Sequence, residues 1–478
     1  MKKIILILTL VSILSGGCKK YLTTNPSVAV SEQKLLESVS GFETLLRGVY
    51  RIMKNQQAGI GPGIMGLQRY TAQTSPDIWN RFDGNLNYQG SIFLPQRTEA
   101  GSAPSNQTWI YFYTIINNCN IILTNIDRLS SPADRIAIVK GQALAIRGWC
   151  YFNLVRFYQH TYSIAKERPG VPIYLTPATP ERPQADRSTV EQVYTQAEKD
   201  LLDGLAALAN YVRPSKDYIN KDVINGILAN LYLTKEDWAK AATFANTARQ
   251  TYPLMSRTEF RSGFQTRNAE WMWCFYQTAE DNLRAGNHFA YWASNGHRNP
   301  GTIGGIPFTR INSTFRAIVD PADVRSQFKL VAGFTNEWTS DKFRDDPNFF
   351  GDMLIMRGAE MLLIEAEALA RQNQLTEART LLNQLQVRRE VPVAQQTTTA
   401  VQTELIDAIL LERRKELFGE GEQIFFDFIR NKLPLTKAGD AADQFTIPAR
   451  SWQFIIQIPE NEVLFGGISN QNPLTGVF

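Results

Sequence analysis

Between Glu412 and Arg430 the chain reads Glu-Arg-Arg-Lys-Glu-Leu-Phe-Gly-Glu-Gly and then, from Phe426, Phe-Asp-Phe-Ile-Arg. Two carboxylates set about 5–10 Å apart across a cleft can cleave a glycoside by acid–base chemistry. Glu412 and Glu416, however, share one predicted helix with Arg413 and Arg414, and ion pairing is the simpler use of that mixture. Metal or triad chemistry would have to draw on His160, His288 and His297, the only histidines. No serine stands in Gly-x-Ser-x-Gly and no Cys-x-x-Cys spacing offers a zinc site. Asp83, or Asp345 with Asp346, could contribute to a structural calcium site, but nothing has EF-hand spacing. The expectation is a protein without enzymatic activity and without a cofactor.

Two other stretches carry the residue types that hold sugars. Sugar rings offer flat C–H faces and a rim of hydroxyls, so their sites combine aromatic platforms with carboxylate, amide or guanidinium partners. Asp77-Ile78-Trp79-Asn80-Arg81 followed by Tyr88 has that make-up, and so has Tyr291-Trp292 with Asn295 and Arg298. The candidate ligand contacts are therefore Asp77, Trp79, Asn80, Tyr88, Tyr291 and Trp292. The competing use of Trp79 and Trp292 is to pin their loops to the body. Trp271 and Trp273 sit in an apolar run with the bulk of a buried strand, and Trp109, Trp149 and Trp238 fall on helix faces.

Both stretches interrupt helices. Residues 353–430 read as three in a row: Leu354–Gln372, a second with Ala378, Leu381, Leu382 and Leu385 on its buried side, and Thr403–Phe418 closed by Gly419. Gln372-Asn373-Gln374 turns the first onto the second as a helical hairpin. Upstream, a helix from about Ser31 to Met53 takes Ser31 as its cap. Thr108–Leu129 pairs with Ala133–Tyr158, and Ser188 with Glu191 forms a capping box for the next helix. Asp222–Leu233 and Asp237–Gln250 make another hairpin. Its Leu228–Leu233 and Trp238–Ala242 parallel Ile364–Leu369 and Leu375–Ala378, with one residue's difference in the turn, and look like tetratricopeptide-type repeats. Residues 56–108 and 252–350 lose helical period. Segments of that length inside a compact protein are usually functional or disordered, and their aromatic content argues against disorder.

Composition is that of an ordinary globular chain: 478 residues, 44% hydrophobic, 20% charged. Lys2 and Lys3, an apolar run from Ile4 to Leu14 and small residues at 15–17 form a secretory signal, too short to span a membrane comfortably. Cys18 follows as a lipidation site of the bacterial lipoprotein kind, although Leu14 stands one place further from the cysteine than usual. Removing residues 1–17 takes away two lysines and no acid, so the formal charge falls from +4 to +2. No segment concentrates Lys and Arg, which argues against nucleic acid as a partner. Cys119, Cys150 and Cys274 sit among apolar neighbours and read as buried free thiols.

Four blocks in this order resemble the SusD/RagB family of Bacteroidetes outer-membrane lipoproteins: Ala143–Arg156, Arg357–Ala368, Glu412–Arg430, and the ending Ile458–Glu462 with Asn472-Pro473. The resemblance implies a mostly α fold of about four tetratricopeptide-like units whose long irregular loop insertions form a ligand-binding face. On that pattern residues 1–17 are the signal peptide and 18–478 a single domain, with a helical part 31–250, an irregular insertion 252–350, and helices 353–430 with a tail. It further implies a non-enzymatic lipoprotein of the outer membrane, at the cell surface, that captures an oligosaccharide and delivers it to a SusC-like TonB-dependent transporter. Lys19-Lys20 stand where many surface-displayed members have acidic residues, which weakens the case for outward display. Two alternatives stay open: capture of peptides, and a helical-repeat scaffold of the cell envelope that holds no small molecule.

Overall fold

In a computed structural model of the chain, the residues described are 32–58, 61–80, 99–281, 309–331, 333–344, 351–421, 423–441 and 444–478. The helices of eight residues or more are α1 Val39–Asn55, α2 Gly63–Thr74, α3 Ala103–Asn125, α4 Ala133–Tyr158, α5 Val190–Ala207, α6 Lys221–Lys235, α7 Trp238–Arg249, α8 Gly358–Arg371, α9 Leu375–Arg388, α10 Gln402–Glu416 and α11 Gln423–Arg430. Strands of three residues or more are β1 Ile78–Asn80, β2 Trp271–Phe275, β3 Thr309–Ile311, β4 Phe328–Leu330, β5 Trp338–Ser340, β6 Met353–Arg357, β7 Leu435–Lys437 and β8 Phe445–Ile447. They pair antiparallel in twos: β1 with β3, β2 with β6, β4 with β5, and β7 with β8. The protein is mostly α-helical.

The helices pack in chain order. α3 lies on α4, α4 on α5, α6 on α7, α7 on α8 and α8 on α9. The α6–α7 and α8–α9 turns share a device: Glu236 (φ 63°) and Asn373 (φ 61°) are both left-handed. A left-handed residue just past a helix end satisfies its last carbonyls and reverses the chain. Two residues separate the first pair of helices and three the second, the difference visible in the sequence. In the shorter turn Asp237 also caps α7, accepting from Lys240 N–H at 3.2 Å. The main core runs along these faces, and Trp149 on α4 meets Trp273 on β2 edge-to-face at 5.9 Å.

Four local expectations are corrected. The first helix starts after Ser38, whose hydroxyl accepts from Gly41 N–H at 3.1 Å, and a separate turn of helix, Glu32–Leu35, precedes it. The capping box of α5 uses Thr189 and Gln192, one residue later than Ser188 and Glu191. Residues 353–357 form β6 rather than the start of α8. Its partner β2 takes up the backbone hydrogen bonds that a helix would have satisfied internally. Residues 56–108 contain α2, which is buried all round, including Gln68, Thr71, Gln73 and Thr74.

Helix α2 can sit so deep because Gly66 lets the carbonyls of Ala58 and Gly61 approach its backbone. A Cβ built on Gly66 would lie 1.9 Å from Ala58 O and 2.3 Å from Gly61 O. Both are main-chain atoms, so relief requires shifting backbone rather than a side chain. Gly66→Ala is expected to cost about 2 kcal/mol of stability, read as a lowered urea midpoint at unchanged m. An unshifted midpoint would mean that Ala58 and Gly61 do not pack this closely on the helix.

Candidate functional site

Of the six candidate contacts, three fall on described residues, all at one ribbon. Strands β1 and β3 pair with Ile78 opposite Ile311, Trp79 opposite Arg310 and Asn80 opposite Thr309. The chain therefore goes into residues 81–98 from Asn80 and returns from residues 282–308 at Thr309, its register partner. Residues 81–98 and 282–308, separate in sequence, thus each have one end at this ribbon. Tyr88, Tyr291 and Trp292 lie outside the described residues, as do Cys18, Asp83, Asp345 and Asp346.

Asp77 and Trp79 serve the base of this ribbon. Asp77 is buried, and its carboxylate accepts from Arg414 Nε at 2.7 Å. Its N–H donates to Ser75 Oγ at 3.0 Å, and its carbonyl accepts from Asn312 N–H at 2.8 Å. The Asn312 amide donates to Pro76 O at 3.0 Å, closing the corner. Trp79 is 8% exposed, which leaves little ring face for a ligand. Asp77 looked like a ligand group because its ion partner stands 337 residues away.

The charged block does bond internally, but not in the pairs its spacing suggests. Adjacent and next-adjacent residues do not face one another on a helix. Arg414 reaches Asp77, and Arg413 reaches Asp427 with Nε at 2.9 Å. Glu416, fully buried, collects arginines from elsewhere: Arg357 at the end of β6 (2.7 Å), Arg389 just after α9 (2.8 Å) and Arg325 (3.3 Å). Arg357 also donates to Glu270 at 2.7 Å, and Glu270 Oε1 accepts from Ala359 N–H at 3.1 Å. Burial would raise the Glu416 pKa, but Arg389 and Arg357 hold it well below the usual carboxylate range. Lys342 donates to Glu416 O (2.9 Å) and Phe418 O (2.7 Å), and burial, against the pull of Glu420, takes its ammonium down to about 8. These carboxylates clamp α8, α9 and α10 to β6 and are sealed from substrate. Sequence reading missed Glu270, Arg325, Lys342 and Arg389, because the Glu416, Glu420 or Arg357 that each meets lies elsewhere in the chain.

The thiols are buried and free, and burial pushes Cys119 up to about 12. An unreactive thiol of this kind behaves as a small apolar side chain. Burial, reinforced by Arg450 and Arg168, takes the His160 imidazole down to about 3, so it stays neutral. Among the described residues no cluster of three His, Cys, Asp or Glu has metal-site geometry, and no helix is long and apolar enough to cross a membrane.

A helical body with short two-stranded ribbons, and with Glu416 and its arginine partners buried inside it, has the fold of the SusD superfamily. Residues 28–233 match the SusD-like family described as starch-binding and associating with the outer membrane, and residues 333–454 match the SusD family proper. A SusD-like carbohydrate-binding protein from Bacteroides vulgatus superposes with TM-score 0.78 at 26% identity, over 89% of this chain and 96% of its own. A SusD superfamily protein from Bacteroides thetaiotaomicron gives 0.79 at 25%, over 91% and 100%. A laminarin-binding SusD-like protein shares the fold at TM-score 0.72 and 20% identity, over 91% and 99%. Two curated SusD-like proteins of Formosa agariphila match more locally. One is 40% identical over 92 residues (18% of this chain, 17% of that protein), the other 24% over 147 residues (30% and 27%). The matched part spans less than a third of either relative. The chain belongs to the SusD/RagB family.

Proposed function

We propose that this protein is a non-enzymatic, lipid-anchored subunit of the outer membrane. It binds an oligosaccharide at the cell surface and delivers it to a SusC-like TonB-dependent transporter. Cys18 carries the lipid in this reading. The observation that carries the ligand assignment is the register of β1 with β3, which roots both aromatic-rich stretches at one place. Tyr88, Tyr291 and Trp292 are the proposed stacking residues, and Asn80 stands where both loops are rooted. Asp77 and Trp79 hold the base. The carbohydrate-binding and laminarin-binding neighbours support a glycan as ligand.

The test is calorimetry of residues 19–478 against neutral and acidic oligosaccharides, laminarin fragments included, and against peptides. Tyr291→Ala and Trp292→Ala are each expected to weaken a glycan hit about fivefold or more, since stacking contributes about 1–3 kcal/mol where an aromatic face carries a ring. Trp79→Ala is expected to lower stability first. Binding of peptides with no glycan response would replace this reading.

A further inference from the structure

Away from the ribbon, a groove of about 530 Å³ is lined by α3, by residues 174–184 and by the turn at 461–466. That volume falls in the range of roughly 300–1,000 Å³ typical of ligand clefts. One wall is a run of rings: Trp109 to Tyr113 at 4.7 Å between centroids, then Tyr113 to Tyr174 at 5.9 Å. The Arg182 guanidinium lies 3.9 Å over Tyr174 and donates to Thr176 O at 3.1 Å, which keeps that ring in place. Facing them, Phe465 is 80% exposed. The turn that carries Phe465 is fixed by its N–H to Asn461 O (2.9 Å) and by Glu460 N–H to Ala100 O (3.3 Å). A phenylalanine held out in water on an ordered turn beside a cleft is a platform waiting for a ring.

The polar groups suit a neutral saccharide. Glu462 is half-buried, and its carboxylate accepts from the Trp109 indole; among the described residues no Lys or Arg neutralises it. Asn117 lines the groove and spends its carbonyl on Ala178 N–H at 2.7 Å, so its NH₂ is the group it can offer a ligand. A carboxylate acceptor and an amide donor beside stacked rings match adjacent hydroxyls on a hexose. Arg182 also lines the groove but is stacked on Tyr174, so the lining carries one charge of each sign, and a uronic acid or sulfate placed beside Glu462 would be repelled.

We infer that this groove is a second carbohydrate subsite, which takes a neutral hexose unit with Phe465 as its platform and Glu462 and Asn117 as its hydroxyl partners. It rests on the glycan reading above but uses none of the loop residues. Laminarihexaose and a uronate hexasaccharide serve as probes on residues 19–478. Phe465→Ala, at an exposed position, should leave the unfolding midpoint unchanged and weaken laminarihexaose at least tenfold, and Glu462→Gln should weaken it severalfold. In Trp292→Ala, residual binding should persist and disappear when Phe465→Ala is added. If laminarihexaose binds the wild type and both groove variants bind equally well, the groove inference is overturned and the loop reading stands. If Phe465→Ala instead loses association with a protein while glycan binding is intact, the face is a docking surface and the subsite is refuted. Failure of every neutral glycan on the wild type overturns both. Tighter binding of the uronate would overturn the role given to Glu462.

Discussion

Glu416→Ala is expected to cost about 3–5 kcal/mol, the range for removing one partner of a buried ion pair and stranding the other. This carboxylate has three guanidinium partners, Arg357, Arg389 and Arg325, and all four side chains are buried. Deleting it leaves three positive charges facing one another with Glu270, Glu412, Glu420 and Asp323 as the remaining carboxylates. Arg357 keeps Glu270 and Arg325 keeps Asp323, which limits the loss, but Arg389 is left with Glu270 at 3.6 Å. Urea is the denaturant to use, because guanidinium chloride screens the interaction under test. Glu416→Ala with Arg389→Ala should recover part of the loss, since the worst-stranded charge leaves with its partner. A midpoint unchanged by the single substitution would show that water or a rearranged carboxylate takes over the site. The pH dependence has a definite sign. Because the Glu416 pKa is depressed in the folded state, its contribution is present above the ordinary carboxylate range and is lost as pH falls through the folded value.

The same cluster marks where the sequence stops being legible. A hairpin is a local object: the apolar spacing of α8 and α9 and the Gln-Asn-Gln turn lie within 31 residues, and the structure follows them, down to the one-residue difference from the α6–α7 turn. Helix α2 misleads for a different reason. Its polar residues Gln68, Arg69, Thr71, Gln73 and Thr74 read as solvent-facing, yet every one is buried, because other segments far along the chain cover them. Strand β6 hides because Met353-Leu354-Ile355-Met356 is separated from a true helix by Arg357 alone, and only pairing with the distant β2 makes it a strand. Ion partners follow the same rule. The carboxylates of the Glu412–Arg430 block were plain to see, but nothing near them in the chain points to Arg325, Arg357 or Arg389. The pairing of Asp77 with Arg414, 337 residues away, was equally out of reach. Nor does the sequence show that Asn80, where the chain leaves for residues 81–98, and Thr309, where it returns from 282–308, are register partners.

Glu360→Gln should stabilise the protein at pH 8 by up to about 3 kcal/mol and leave it unchanged at pH 4. Glu360 lies on α8, buried, with Oε1 accepting from the Asn230 amide of α6 at 2.9 Å. Burial pushes its carboxyl up to about 7, while Asn230 and Arg413 pull the other way. A raised folded pKa means that the folded state holds the proton more tightly than the unfolded chain, whose glutamate titrates near 4.5. Stability from this group is therefore complete below 4.5, falls as pH rises toward 7, and is flat beyond. Glutamine keeps the carbonyl acceptor for Asn230 and never ionises, so the variant escapes the loss; a difference of some 2.5 units corresponds to about 3 kcal/mol. Glu367 provides the opposite control. Burial would raise its pKa, but Arg430, bonded to it twice at 2.6 Å, holds it down to about 2, so its contribution is lost below 4.5, outside the Glu360 window. Subtracting variant from wild type across pH 4–8 isolates Glu360 from Glu367. A flat difference would mean that Glu360 is ionised in the fold and that Arg413 compensates it more strongly than their separation by burial suggests. A difference that opens only above pH 4.5 and saturates near 7 would identify the proton that the α6–α8 contact keeps.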